Sequence, residues 1–159
     1  MFNFNSSPNI TYVTFTGNSA IEKGGGMYNV NPSAPTITNT AFSGNSATYG
    51  GGMANAYSAN PIITNTTFSG NEAFLGGGMR NELSSSPTII NCTFTGNAAA
   101  FGDGMYNSDG VSPVIANSIL WGNGTEIATF DSSYPTVTYS IVQGGYTGCS
   151  NCPGTNGNA

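Results

Sequence analysis

Residues 42–55 read FSGNSATYGGGMAN, residues 68–81 read FSGNEAFLGGGMRN, and residues 94–107 read FTGNAAAFGDGMYN. The copies start 26 residues apart (68 − 42 = 94 − 68 = 26). No other property constrains the fold as strongly, because a unit this short cannot bury its own apolar face and has to stack on its neighbours. Six prolines keep the same frame: Pro8, Pro35, Pro61, Pro87, Pro113 and Pro135, spaced by 27, 26, 26, 26 and 22 residues. Two positions after each stands an aliphatic residue: Ile10, Ile37, Ile63, Ile89, Ile115 or Val137. Seven positions after each stands a large apolar residue: Phe15, Phe42, Phe68, Phe94, Leu120 or Val142. The glycine-rich runs then deliver Met27, Met53, Met79 and Met105.

The runs PTITNTAF, PIITNTTF and PTIINCTF alternate aliphatic with hydroxyl residues, are rich in β-branched types and show no helical period. They predict an all-β parallel β-helix of about six coils of 22–27 residues, with little or no helix. The expected organisation is one domain over 1–159. It holds a partial coil at 1–7, coils at 8–34, 35–60, 61–86, 87–112 and 113–134, and an incomplete last coil and tail at 135–159. Equivalent residues then stack at the strand spacing of about 4.8 Å, and six coils make a rod roughly 30 Å long.

Each recurring position becomes a ladder. Ile37, Ile63 and Ile89, then Phe42, Phe68 and Phe94, then Met53, Met79 and Met105 are expected to fill a narrow core. Asparagine recurs in three sets: Asn39, Asn65 and Asn91; Asn45, Asn71 and Asn97; and Asn55, Asn81 and Asn107. Stacked amides hydrogen-bond to one another along the axis, which offsets the cost of burying them, and asparagine also tolerates left-handed turns. Ala20, Ala47, Ala73 and Ala99 are expected where the backbone bends tightly. The glycine runs serve positive φ or close backbone approach. A phosphate loop would need a following Lys-Ser/Thr or a helix N-terminus, and neither follows.

The FxGN…GGGM pairing resembles the FxxN and GGA-type motifs of the chlamydial polymorphic outer-membrane protein repeats. More broadly it is similar to the right-handed parallel β-helix proteins of bacterial cell surfaces, within the pectin-lyase-like fold. The stretch 117–148, which opens NSILWGN and closes PTVTYSIVQGGYTG, resembles the closing coils of such proteins. The resemblance implies right-handed coils and an extracellular or cell-surface, bacterial location. Met1 falls on the methionine position, so the chain is expected to open within a coil. It reads as a segment of a longer secreted protein or a unit stacking end to end, and MFNFNSSP carries no signal-peptide pattern.

Composition narrows the chemistry. Lys23 and Arg80 are the only basic side chains and the net charge is −5, which leaves nothing to neutralise a nucleic-acid backbone. No apolar run is long enough to span a membrane as a helix. Histidine is absent, so no Ser-His-Asp or Cys-His arrangement exists. Cys149 and Cys152 form CSNC without a histidine or a second pair. That is a poor zinc site outside any βαβ redox context, and it reads as a short disulfide or two free thiols; Cys92 reads as a small residue on a strand. No cofactor is expected. Among the acids, Glu82 with Asp109 and Asp103 with Glu126 fall at near-equivalent places of adjacent coils, as a shared cation or proton site or as solvated loop charges. The outward face of the first strand is read as Thr36, Thr38, Thr40, Thr64, Thr66 and Thr88, a candidate ligand-binding array. Its T-x-T pattern resembles the ice-binding face of β-solenoid antifreeze proteins. Tyr28, Tyr106 and Trp121 are outward aromatics suited to stacking on sugars or equally to covering loop edges. The leading expectation is a non-enzymatic structural or adhesive solenoid segment, partnered by itself or by surface glycans. A carbohydrate-binding or polysaccharide-degrading β-helix and an ice-binding solenoid are the alternatives.

Overall fold

The computed structural model describes residues 1–146 and the backbone of the short strand Cys149–Ser150. The described chain contains strands and turns and no helix. It winds into stacked coils, each contributing one strand to three long parallel sheets, and three coils contribute to a fourth, short one.

What we call the isoleucine sheet runs through Asn9–Thr11, Thr36–Thr38, Ile62–Thr64, Thr88–Ile90, Val114–Ala116, Thr136–Thr138 and Cys149–Ser150. The phenylalanine sheet comprises Thr14–Thr16, Ala41–Ser43, Thr67–Ser69, Thr93–Thr95, Ile119–Leu120 and Ile141–Val142. The methionine sheet comprises Phe2–Phe4, Met27–Val30, Met53–Ala56, Met79–Asn81, Met105–Asn107 and Ile127–Thr129. The short sheet holds Ser46–Tyr49, Glu72–Leu75 and Ala98–Phe101. Six strands in the methionine sheet enclose five intervals. The described rod therefore has about five turns against the six coils expected, because the first and last coils are partial.

Register follows the sequence period. Ile10, Ile37, Ile63, Ile89, Ile115 and Val137 are successive partners, as are Met27, Met53, Met79 and Met105. Together with the phenylalanines they form one continuous core. The rings of Phe15, Phe42, Phe68 and Phe94 lie face to face, with centroids 4.7, 4.8 and 4.6 Å apart and interplanar angles of 7° or less. That separation is the strand spacing itself, so the backbone sets the stack and the rings fill it.

The coil turns at residues with left-handed backbone. Asn39, Asn65, Asn91 and Asn117 have φ of 50–54° and join the isoleucine to the phenylalanine strands. Gly17, Gly44, Gly70 and Gly96, with φ of 61–62°, make the next corner. A left-handed residue reverses which way the following side chain points, so the two-residue alternation of a strand is reset at each corner. This corrects two readings. The Asn39, Asn65 and Asn91 set makes corners rather than a buried amide ladder, and Asn65 and Asn91 are exposed. Thr40 and Thr66, read as outward, point into the coil and are 4% and 1% exposed. Ala47, Ala73 and Ala99 lie within strands of the short sheet rather than at bends.

In the glycine runs the first glycine bends the chain: Gly24, Gly50, Gly76 and Gly102 have φ of 63–70°. The second permits coil-to-coil approach. A Cβ on Gly25, Gly51 or Gly77 would stand 2.4, 2.4 or 2.6 Å from a neighbouring backbone oxygen.

Candidate functional site

Two of the asparagine sets are buried ladders of one design. In the first, Asn18, Asn45, Asn71 and Asn97 each donate from Nδ2 to Oδ1 of the next asparagine, ending at Asn123, over 2.8–2.9 Å. Each Oδ1 also accepts a backbone N–H: Asn45 N–H reaches Asn71, and Asn71 N–H reaches Asn97, both at 3.0 Å. Nδ2 of Asn45, Asn71, Asn97 and Asn123 also donates to a phenylalanine carbonyl of the preceding coil, as from Asn71 to Phe42 at 3.0 Å. In the second ladder Asn3, Asn29, Asn55, Asn81 and Asn107 pass Nδ2–H to Oδ1 in the same direction over 2.7–2.9 Å. Every amide-to-amide bond runs toward the C-terminal coils, so both ladders are polar.

The first ladder ends on a carboxylate. Glu126, 4% exposed, accepts the Asn123 backbone N–H at 3.1 Å and, through its other oxygen, the Asn123 Nδ2–H. It supplies the two acceptors that the next asparagine would. Asp103 has a separate role: Oδ1 accepts the Ala99 N–H at 2.8 Å and Oδ2 the Thr125 N–H at 2.7 Å. Neither acid of this pair is a solvated loop charge.

Glu82 is also committed, and its partners were not foreseen from the sequence. Its side chain, 8% exposed, lies 2.8 Å from Lys23 Nζ and 2.5 Å from Arg80 Nη2. The two basic residues of the chain thus meet on one buried carboxylate from coils 57 residues apart (80 − 23 = 57). Tyr49, at the end of a short-sheet strand, stacks under Arg80 with the guanidinium 4.3 Å from the ring centre, and Tyr28 lies 5.7 Å from Lys23 Nζ. Tyr106 faces Arg80 at 6.0 Å. Tyr28 and Tyr106, read as sugar platforms, therefore sit half-buried against cations, whereas Trp121 is exposed. Burial works to lower the Lys23 pKa, but the hydrogen bond and charge of Glu82 outweigh it and hold it above its usual value. Burial raises the Tyr28 hydroxyl in the same direction, against the pull of Lys23. Asp109, placed by the sequence beside Glu82, instead accepts from the Ser108 hydroxyl at 2.9 Å. The one cue in the sequence was Ala54, a small residue between Tyr28 and Arg80 in the column Phe2, Tyr28, Ala54, Arg80, Tyr106 and Ala128.

The threonine array shrinks. Thr36 is exposed, Thr38, Thr64 and Thr88 are half-buried on the outer face, and Thr40 and Thr66 spend their hydroxyls on the Thr38 and Thr64 carbonyls at 3.0 Å. The outward column is Asn9, Thr36, Ile62, Thr88, Val114 and Thr136, so aliphatic residues alternate with hydroxyls. Cys92 belongs to the inward corner with Thr40 and Thr66. It is 2% exposed, its thiol donates to the Ile90 carbonyl, and burial pushes its pKa up to about 11. The side chains of Cys149 and Cys152, the pair read as a disulfide or free thiols, lie outside the described residues. No group of three or more metal-ligating side chains forms among the described residues.

Stacked parallel coils, polar amide ladders and stacked core rings define a β-solenoid. The chain matches the family described as the right-handed β-helix region over residues 1–158. It belongs to that family, and its coils are right-handed. No curated protein and no solved structure shows significant similarity to it.

Proposed function

We propose that the chain is a non-enzymatic structural or adhesive solenoid segment of a bacterial cell-surface or secreted protein, acting as a spacer and stacking end to end. The observation that carries this reading is the use made of its carboxylates. Glu82, Asp103 and Glu126, the acids best placed for chemistry, each hold the scaffold together: one pairs two cations, one binds two backbone N–H groups, one closes an amide ladder. A general acid or base needs a group free to exchange a proton with substrate, and a cation site needs carboxylate oxygens not already spent on backbone donors. The right-handed β-helix fold hosts both enzymes and non-enzymes, and fold alone assigns neither.

The test is a panel of acidic and neutral polysaccharides incubated with the full chain, with released reducing ends and unsaturated sugars measured. No release is expected, and negative-stain images at high concentration should show rods lengthening by whole segments. Release that disappears in Glu82→Gln or Asp103→Asn would overturn the proposal in favour of a polysaccharide-degrading enzyme. Binding to glycans without turnover would retain the adhesive role and name its ligand.

A further inference from the structure

The coil after Asp103 is short: Pro113 to Pro135 spans 22 residues, where the three preceding intervals span 26. What it lacks is a strand of the short sheet, which passes from Ser46–Tyr49 to Glu72–Leu75 to Ala98–Phe101 and stops. Ala98–Phe101 is therefore an edge strand, and an edge presents unpaired backbone groups to any other extended chain. In the first coil the Ala20 N–H donates to the Ser46 carbonyl of the next coil at 2.9 Å. Register carries that position through Ala47 and Ala73 to Ala99. At Ala99 the Asp103 carboxylate takes the place of the missing carbonyl, at 2.8 Å. Its second oxygen, on the Thr125 N–H, anchors it to the following coil.

The residue type fits only this coil. Asp103 stands where the earlier runs have Gly25, Gly51 and Gly77, and there the carbonyls of the next coil exclude any Cβ. Where the next strand is missing a side chain is admitted, and the one present supplies the absent acceptor.

We propose that Asp103 guards this edge: its carboxylate occupies the backbone donor of Ala99 and so prevents the edge from pairing with the same edge of a second copy of the chain. The strand Ala98-Ala99-Ala100-Phe101 is uncharged, so two copies related by a two-fold axis meet without like-charge contact once the carboxylate is gone. Phe101 and Phe74, 58% and 55% exposed, form an edge-to-face pair 6.2 Å apart on the same sheet and add apolar surface to the contact. Such pairing is lateral and closes at two copies. It is independent of the end-to-end stacking proposed above, which lengthens rods without widening them.

The experiment compares the wild-type chain 1–159 with Asp103→Gly, Asp103→Asn and the double variant Asp103→Gly/Ala100→Lys. Sedimentation velocity over a concentration series and image width report association, and NMR hydrogen exchange reports the Ala99 amide. Asp103→Gly restores the glycine of the other runs and frees the Ala99 N–H; Asp103→Asn removes the charge and keeps an acceptor. Expected are lateral dimers for Asp103→Gly alone, at least about tenfold faster Ala99 exchange in its undimerised form, equivalent to about 1.4 kcal/mol, and loss of dimerisation on adding Ala100→Lys. Dimerisation of Asp103→Asn to the same extent would make charge the cause and overturn the proposal. So would a folded Asp103→Gly that sediments as the wild type does, or a dimer that survives Ala100→Lys. If Asp103→Gly does not fold, Asp103→Ala carries the same comparison.

Discussion

Replacing Asn71 by alanine tests whether the amide ladders hold the rod together. Asn71 is fully buried and its side chain makes four hydrogen bonds. Nδ2 donates to Asn97 Oδ1 and to the Phe42 carbonyl, and Oδ1 accepts from the Asn45 amide and backbone N–H, all within 2.8–3.0 Å. At about 1 kcal/mol net for each bond, the loss comes to about 3–5 kcal/mol, with the stranded Asn45 backbone N–H alone worth about 1–3 kcal/mol. Asn18→Ala supplies the internal comparison. Asn18 is exposed, its side chain donates one ladder bond, at 2.9 Å, and its loss should cost no more than about 1 kcal/mol. The assay is equilibrium urea unfolding by circular dichroism, with hydrogen exchange at Asn45 as a local probe because repeat arrays need not unfold in one step. Asn71→Ala should lower the midpoint well beyond Asn18→Ala and unprotect Asn45. Equal losses for the two variants, or less than about 1 kcal/mol for Asn71→Ala, would refute the account of the ladder as a load shared between coils.

Other predictions follow from the same contacts. Gly51→Ala should cost several times more than Gly44→Ala in urea titrations. The added Cβ at Gly51 would stand 2.4 Å from the Glu72 carbonyl oxygen, whereas at Gly44 it meets open space and only the left-handed φ is strained, by about 1–2 kcal/mol. Glu82→Gln should destabilise by about 2–3 kcal/mol, because half-buried Lys23 and Arg80 are left beside an uncharged partner, with partial screening by solvent. Changing all three residues to uncharged ones should recover part of that loss. Lys23 titrates above its ordinary 10.5 in the folded chain, so its contribution is full below 10.5 and is lost as pH rises through the folded value. Tyr28, also raised, acts with the same sign. Unfolding free energies measured from neutral to alkaline pH should fall at the alkaline end, and less steeply in Glu82→Gln. With Cys149 and Cys152 changed to serine, Cys92 should stay unlabelled by iodoacetamide at neutral pH until the chain unfolds, since its thiol is buried and titrates near 11.

The period alone determined the architecture. When a chain repeats every 26 residues and each unit makes one coil, translation along the axis places like on like. The isoleucine, phenylalanine and methionine columns and two asparagine ladders were therefore legible as spacing. Inside and outside were legible only within a strand. At Asn39 and Asn65 a left-handed residue resets the alternation, and Thr40 and Thr66 turn inward against the pattern that Thr36 and Thr38 begin. The third asparagine set makes corners for the same reason: the residue that best buries a ladder amide also best adopts positive φ, and composition does not separate the two uses. Contacts that span unlike positions were beyond the repeat altogether. Lys23, Glu82 and Arg80 come from unlike positions of different coils and meet beside Tyr49, a matter of where one sheet turns relative to another. The break GDGM and the four-residue shortening of the following coil both stand in the sequence. Only the fold puts them side by side, where the Asp103 carboxylate reaches the backbone donor that the missing strand leaves open.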